Sequence, residues 1–164
     1  MRAGLAMSVL SLIMATVALG AQQVTTPPPA TPYGPPIDLA TAKRLIAAAE
    51  AEEMKNHWTM AIVILDSTGH PVMMEKLDST QYGSIAAAED KARSALDFKR
   101  PTKVFEDLVA QGGVGLRTLN LRGDSVLEGG LPIIRDGKVI SAVGVSGGSS
   151  AQDGQVAKAA ADAK

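Results

Sequence analysis

Gly144-Val145-Ser146-Gly147-Gly148 is a G-x-S-x-G sequence, the spacing that in one class of hydrolases exposes a nucleophilic serine on a sharp strand-to-helix turn. In that class the acid and the histidine follow the serine, whereas His57 and His70 both precede Ser146. No catalytic residue is therefore assigned. What remains is backbone chemistry: Gly147, Gly148 and Ser149 offer N–H groups at the start of a helix, a place that suits a carboxylate or a phosphate. Other phosphate signatures fail, because Gly113-Val114-Gly115 lacks a third glycine and no GK[ST] sequence exists.

The histidines carry the metal chemistry. The chain has no cysteine, which excludes thiolate metal sites, disulfides and a thiol nucleophile together. His57 and His70 lack the helical spacing of a zinc pair. A single imidazole is enough for haem iron, and a methionine can serve opposite it. His70 opens an apolar stretch in which Val72 and Met74 follow at period two, the repeat that places side chains on one face of a strand. His70 is thus the first choice as metal ligand, Met74 or its neighbour Met73 the candidate opposite it, and His57 the second choice, since Trp58 beside it suggests packing. Lys91, Arg93, Lys99 and Arg100 are the cations available for haem propionates.

These residues need elements to hold them. Asp38 caps a helix over 39–56, with Ala42, Leu45, Ile46, Ala49 and Met54 along one face. Met60–Asp66 is nearly continuously apolar and reads as a buried strand, and Ser67-Thr68-Gly69 turns it into a second strand over 70–77. A helix over 82–99 carries Ile85, Ala88, Ala92, Ala95 and Leu96 as its stripe, Pro101 stops it, and a short helix follows over 102–111. Residues 125–127, 131–135 and 138–145 read as three strands, the last two joined by Asp136-Gly137, a two-residue hairpin signal. Ser149 and Gln152 form a capping-box pattern before a final helix over 151–163. Hairpin-linked strands between amphipathic helices give an α+β fold with a five-stranded antiparallel sheet.

The 164 residues hold 46% hydrophobic side chains, so one ordinary domain with a real core is expected. Lys and Arg number 16 against 17 Asp and Glu, and aromatics make up 3%. There is no basic excess for a phosphate backbone and no base-stacking platform, so no nucleic-acid partner is expected. At the N-terminus Arg2, the apolar run Leu5–Leu19, and Ala18 and Gly20 read as a secretory signal over 1–20. The run is shorter than the ~20 apolar residues of a spanning helix. A periplasmic or secreted protein without stable membrane insertion is expected. Residues 21–36, with six prolines between Thr25 and Pro36, read as a stiff spacer, and the domain as 37–164.

Five motifs occur in order over that domain: Asp66-Ser-Thr-Gly69-His70-Pro-Val, Lys91-Ala92-Arg-Ser-Ala95, Arg100-Pro101-Thr102, Glu128-Gly129-Gly130-Leu131-Pro132-Ile133, and Gly144-Val-Ser-Gly-Gly148 followed by Gln152-Asp153. Together they resemble the GlcG/HbpS-like haem-binding family, also called the haem-degrading domain. The resemblance implies a profilin-like fold, homo-oligomers (often octamers), and binding of haem or a related tetrapyrrole for storage, relay, sensing or degradation. Any haem breakdown would be cofactor chemistry and not side-chain catalysis. The chain departs from the pattern at Asn56-His57-Trp58 and over Gly112–Asp124. A second reading stays open at this stage: an oligomeric binding module for an anionic metabolite held at Gly147–Ser149.

Overall fold

The computed structural model describes residues 30–163. The leader expected over 1–20 lies outside the described residues. The elements are α1 (Leu39–Asn56), β1 (Ala61–Asp66), β2 (Pro71–Lys76), α2 (Gly83–Phe98), α3 (Lys103–Gln111), a 3-10 helix (Gly113–Asn120), β3 (Gly130–Arg135), β4 (Lys138–Ser146) and α4 (Ser150–Asp162). The strands form one antiparallel sheet in the order β2-β1-β4-β3.

Alternation along β1 sorts the two faces. Ile62 and Ile64, with Val143, Val145 and Ile133, pack against Ala42, Leu45, Ile46 and Ala49 of α1 and Val156, Ala157 and Ala160 of α4. Ala61, Val63 and Leu65, with Val139 and Ala142, meet Ala88, Ala92, Ala95 and Leu96 of α2. Small residues on both sides bring α2 close to the sheet. A Cβ on Gly144 would lie 2.0 Å from the Ala88 carbonyl oxygen, so only glycine fits there.

The expected sheet had five strands; the described residues form four. Residues 125–127 form no ladder; the Ser125 and Leu127 N–H groups, and that of Glu128 after them, go to side chains. Ser125 N–H donates to Ser94 Oγ at 2.6 Å, Leu127 N–H to Ser125 Oγ at 3.3 Å, and Glu128 N–H to Glu106 Oε2 at 2.6 Å. The predicted Asp136-Gly137 turn is present with both residues at positive φ, 49° and 70°, as a tight hairpin turn requires. The spacer expected over 21–36 is described only from Ala30, and from Thr31 onward it is bonded to the domain, with Tyr33 bridging Val139 in parallel.

Candidate functional site

His57 sits at the end of α1 in the left-handed region, φ 57°. Its N–H satisfies the last turn of the helix through Met54 O at 3.2 Å, while Trp58 N–H reaches Glu53 O at 3.0 Å. This cap turns the chain out of the helix and leaves His57 exposed above a half-buried Trp58. Around them lies an open depression of about 520 Å3, lined by Met54, His57, Trp58, Thr59, Leu77 and Asp78. That volume is in the range of small-molecule and cofactor sites, roughly 300–1,000 Å3. Two lysines adjoin the lining residues in sequence without lining the depression themselves: Lys76 Nζ donates to Leu77 O at 3.1 Å, and Lys55 Nζ lies 3.4 Å from Glu52 Oε2.

His70 is elsewhere. It lies in the β1–β2 turn, at the far end of a six-residue strand from His57, a separation of roughly 20 Å at strand rise. Its imidazole is exposed, Nδ1 is 2.9 Å from Thr68 Oγ1, and it lines neither this depression nor a second one at the other end of the sheet. Its task is in the turn. Burial pushes the Asp66 carboxyl up, but hydrogen bonds from the Thr68 hydroxyl and from the His70 and Thr68 backbone N–H groups outweigh this and hold it below its ordinary value.

Met74 does not share a face with Val72. The pairing passes from Leu65↔Pro71 to Ile64↔Met73, so Val72 is the extra residue of a bulge. Val72 and Met73 then both pack toward α1 and α4, while Met74 points to the opposite face and is 52% exposed.

Lys91 is also not available to a ligand. Its Nζ lies 2.6 Å from Asp153 Oδ2, with both side chains almost completely buried. Asp153 Oδ1 accepts the Gly148 N–H at 2.9 Å, and Gln152 Oε1 accepts the Ser149 N–H at 2.9 Å. The expected anion site at the start of α4 is therefore filled by the chain's own side chains, Asp153 being the anion. Gly147 serves packing: at φ 154° it lets the chain pass where a Cβ would meet Thr59 O at 2.5 Å. Arg100 is exposed, donates to Phe98 O, and does not line the depression.

The sequence reading missed two features here. The cations next to the depression's lining residues in sequence are Lys55 and Lys76, not Lys91 or Arg100. The other feature is Glu53, one turn before His57 and fully buried, with neither carboxyl oxygen hydrogen-bonded among the described residues. Glu75 on β2 has a buried Oε1 in the same condition. Burial, then the nearby Glu75 and Glu50 carboxylates, push the Glu53 acid from 4.5 up to about 7. Folding thus takes up a proton. The stability this gives is full below about 4.5 and is lost as pH rises through about 7. Glu53→Gln keeps the shape without the charge and offers N–H groups to Glu75. It is expected to flatten the pH dependence and to exceed the natural chain at pH 8 by roughly 1–3 kcal/mol. Urea unfolding at pH 5 and 8 checks this, and equal losses in both proteins between the two pH values would contradict it.

Among the described residues no cluster of three or more His, Asp or Glu is arranged to hold a bare metal ion, and no helix is long and apolar enough to cross a membrane. Haem asks for less: one imidazole, an apolar surface and cations at its edge. The His57 depression supplies the imidazole and the apolar surface, and the cations next to it in sequence are Lys55 and Lys76.

An antiparallel sheet between α1/α4 and α2, with glycines at its closest crossings, defines an α+β domain. Solved structures with this fold include one titled a PduOC–haem complex, 25% identical over 77% of this chain and 93% of that one at a TM-score of 0.69. Another is an HbpS variant from Streptomyces reticuli, 25% identical over 91% and 96% of the two chains at a TM-score of 0.70. Protein GlcG of Escherichia coli K12 is 41% identical over 105 residues, 64% of this chain and 77% of GlcG. The family model described as "Haem degrading protein HbpS-like" matches residues 37–162. The chain belongs to the HbpS-like family.

Proposed function

We propose that this protein binds haem, or a closely related tetrapyrrole, at the depression at the end of α1, with His57 as the iron ligand. The observation that carries the reading is an exposed imidazole set beside Trp58, Met54 and Leu77 in a chain of a haem-degrading family. Lys76, beside the lining residue Leu77, is the cation proposed for a propionate, whereas the Lys55 ammonium lies 3.4 Å from Glu52 Oε2. When bound, the haem would supply the redox chemistry and the protein its pocket and ligand. The depression is open and would cover only one face of a planar ring, which would leave the other face for a second copy of the chain. Supporting an oligomer, Met54, Met74 and Tyr82 are 58%, 52% and 91% exposed.

Titration of the purified chain with hemin tests this. A saturable Soret shift is expected, ending near one haem per chain or per pair of chains. Hemin that only aggregates, with no saturation, would overturn the reading. The anionic-metabolite reading loses its support, because the N–H groups of Gly148 and Ser149 already have acceptors.

The proposal extends to export. Arg2, the apolar run Leu5–Leu19 and Ala18-x-Gly20 support a leader removed after Gly20. The protein recovered from the native host is expected to begin at Ala21 by intact mass, and material still carrying Met1 would contradict it.

A further inference from the structure

β4 runs from Lys138 to Ser146, but β1 pairs with it only from Ser141 onward. On that side Val139 and Ile140 extend past the end of β1. The β3–β4 pairing passes from Ile133↔Ser141 to Ile134↔Val139, which makes Ile140 the extra residue of a bulge and turns its carbonyl out of the ladder. Val139 is fully buried and Ile140 is 9% exposed. Unpaired backbone groups at such positions are costly.

Residues 31–37 supply the missing partners. Val139 N–H donates to Pro32 O at 3.0 Å, Gly34 N–H to Val139 O at 2.8 Å, and Ile37 N–H to Ile140 O at 3.1 Å. The segment is also held from the side. Tyr33 Oη donates to Leu96 O at 3.0 Å, Lys99 Nζ donates to Thr31 O at 2.8 Å, and the same ammonium lies 4.1 Å from the centre of the Tyr33 ring. At Gly34 the approach is so close that a Cβ would stand 3.0 Å from both Ile140 Cγ2 and Lys138 Cβ.

We infer that residues 31–37 are a built-in clasp, which closes the exposed edge of β4 and fixes the direction in which the preceding chain leaves the domain. Six of its seven residues precede the region matched by the family model, which begins at Ile37. Its composition suits the task. Pro32, Pro35 and Pro36 have no N–H, so the clasp completes the β4 edge without presenting a full ladder on which another chain could add a strand. The stiffness of the prolines also lowers the entropy lost on docking.

Lys99 gives a test that a purely structural cap would fail. It ends α2 in the left-handed region, φ 53°, where glycine is ordinarily the better residue. If Lys99 were only a cap, Lys99→Gly would tighten the structure. As the anchor of the clasp, its loss should free residues 31–37. Amide hydrogen exchange followed by NMR on the full chain reads the result. In the natural protein the Gly34 and Val139 amides should be protected, and Lys99→Gly and Gly34→Val should each speed their exchange about tenfold or more, with Ile62–Ile64 unchanged. Unprotected Gly34 and Val139 amides in the natural chain, or protection unaltered in Lys99→Gly, would overturn the inference.

Discussion

Replacing His57 by alanine or glycine is expected to remove the Soret signature of the hemin-loaded chain and to weaken binding about 100-fold or more, ~3 kcal/mol at 25 °C. His70→Ala should leave both spectrum and affinity as they are. The argument is geometric. His57 lines the apolar depression, whereas His70 lies at the other end of β1 with Nδ1 against the Thr68 hydroxyl. The glycine variant separates ligation from folding. His57 holds φ 57°, which glycine adopts without a Cβ penalty, so the α1 cap survives and far-UV circular dichroism should not change. An imidazole lost from an intact cap can alter the haem spectrum only if it ligates or lines the site. A wild-type spectrum in both His57 variants, or loss of binding in His70→Ala, would move the site away from the end of α1.

His70 shows why the fold was more legible than the site. The element boundaries follow from local signals that act where they are read. Asp38 caps α1 through Thr41 N–H at 2.7 Å, and Ser149 and Gln152 form the capping box of α4. Alternation in β1 sorts onto two faces. Ligand geometry depends on events with no period. One extra residue at Val72 reverses which side Met74 faces, and the sequence Pro71-Val72-Met73-Met74 reads as an unbroken strand. The proline-rich stretch was misleading for a related reason. Prolines remove donors, which suggests a spacer, yet the Pro32 carbonyl accepts as well as any other. A strand over 125–127 reads plausibly in the sequence, but Ser94, distant along the chain, takes the Ser125 N–H, and Glu106 takes that of Glu128 just after it. Lys91 in the same way reads as a cation for a ligand, because nothing local announces that its partner is Asp153, on the other helical layer.

Breaking that pair should have the largest effect on stability. Lys91 belongs to α2 on one face of the sheet and Asp153 to α4 on the other, and their contact runs past the start of β3. The Glu128-Gly129-Gly130 motif makes the passage. A Cβ on Gly129 would stand 3.0 Å from Lys91 Cδ and 2.9 Å from Asp153 Cβ, and one on Gly130 would stand 2.1 Å from Lys91 O. With both side chains nearly sealed from water, either charge left alone has no solvent to screen it. Lys91→Met and Asp153→Asn are each expected to cost about 3–5 kcal/mol. In the double variant no bare charge remains, so its loss should be well below the sum of the two. Some cost persists, because Asp153 Oδ1 accepts the Gly148 N–H and the amide that replaces it is a weaker acceptor, a charged bond being worth about 1.5–3 kcal/mol against roughly 1 for a neutral one. Urea unfolding of the four proteins completes the cycle. A coupling of more than ~1 kcal/mol is the expected sign of a direct pair. Additive losses would mean that Lys91 and Asp153 stabilise the domain separately, and that the two helical layers are joined by apolar packing alone.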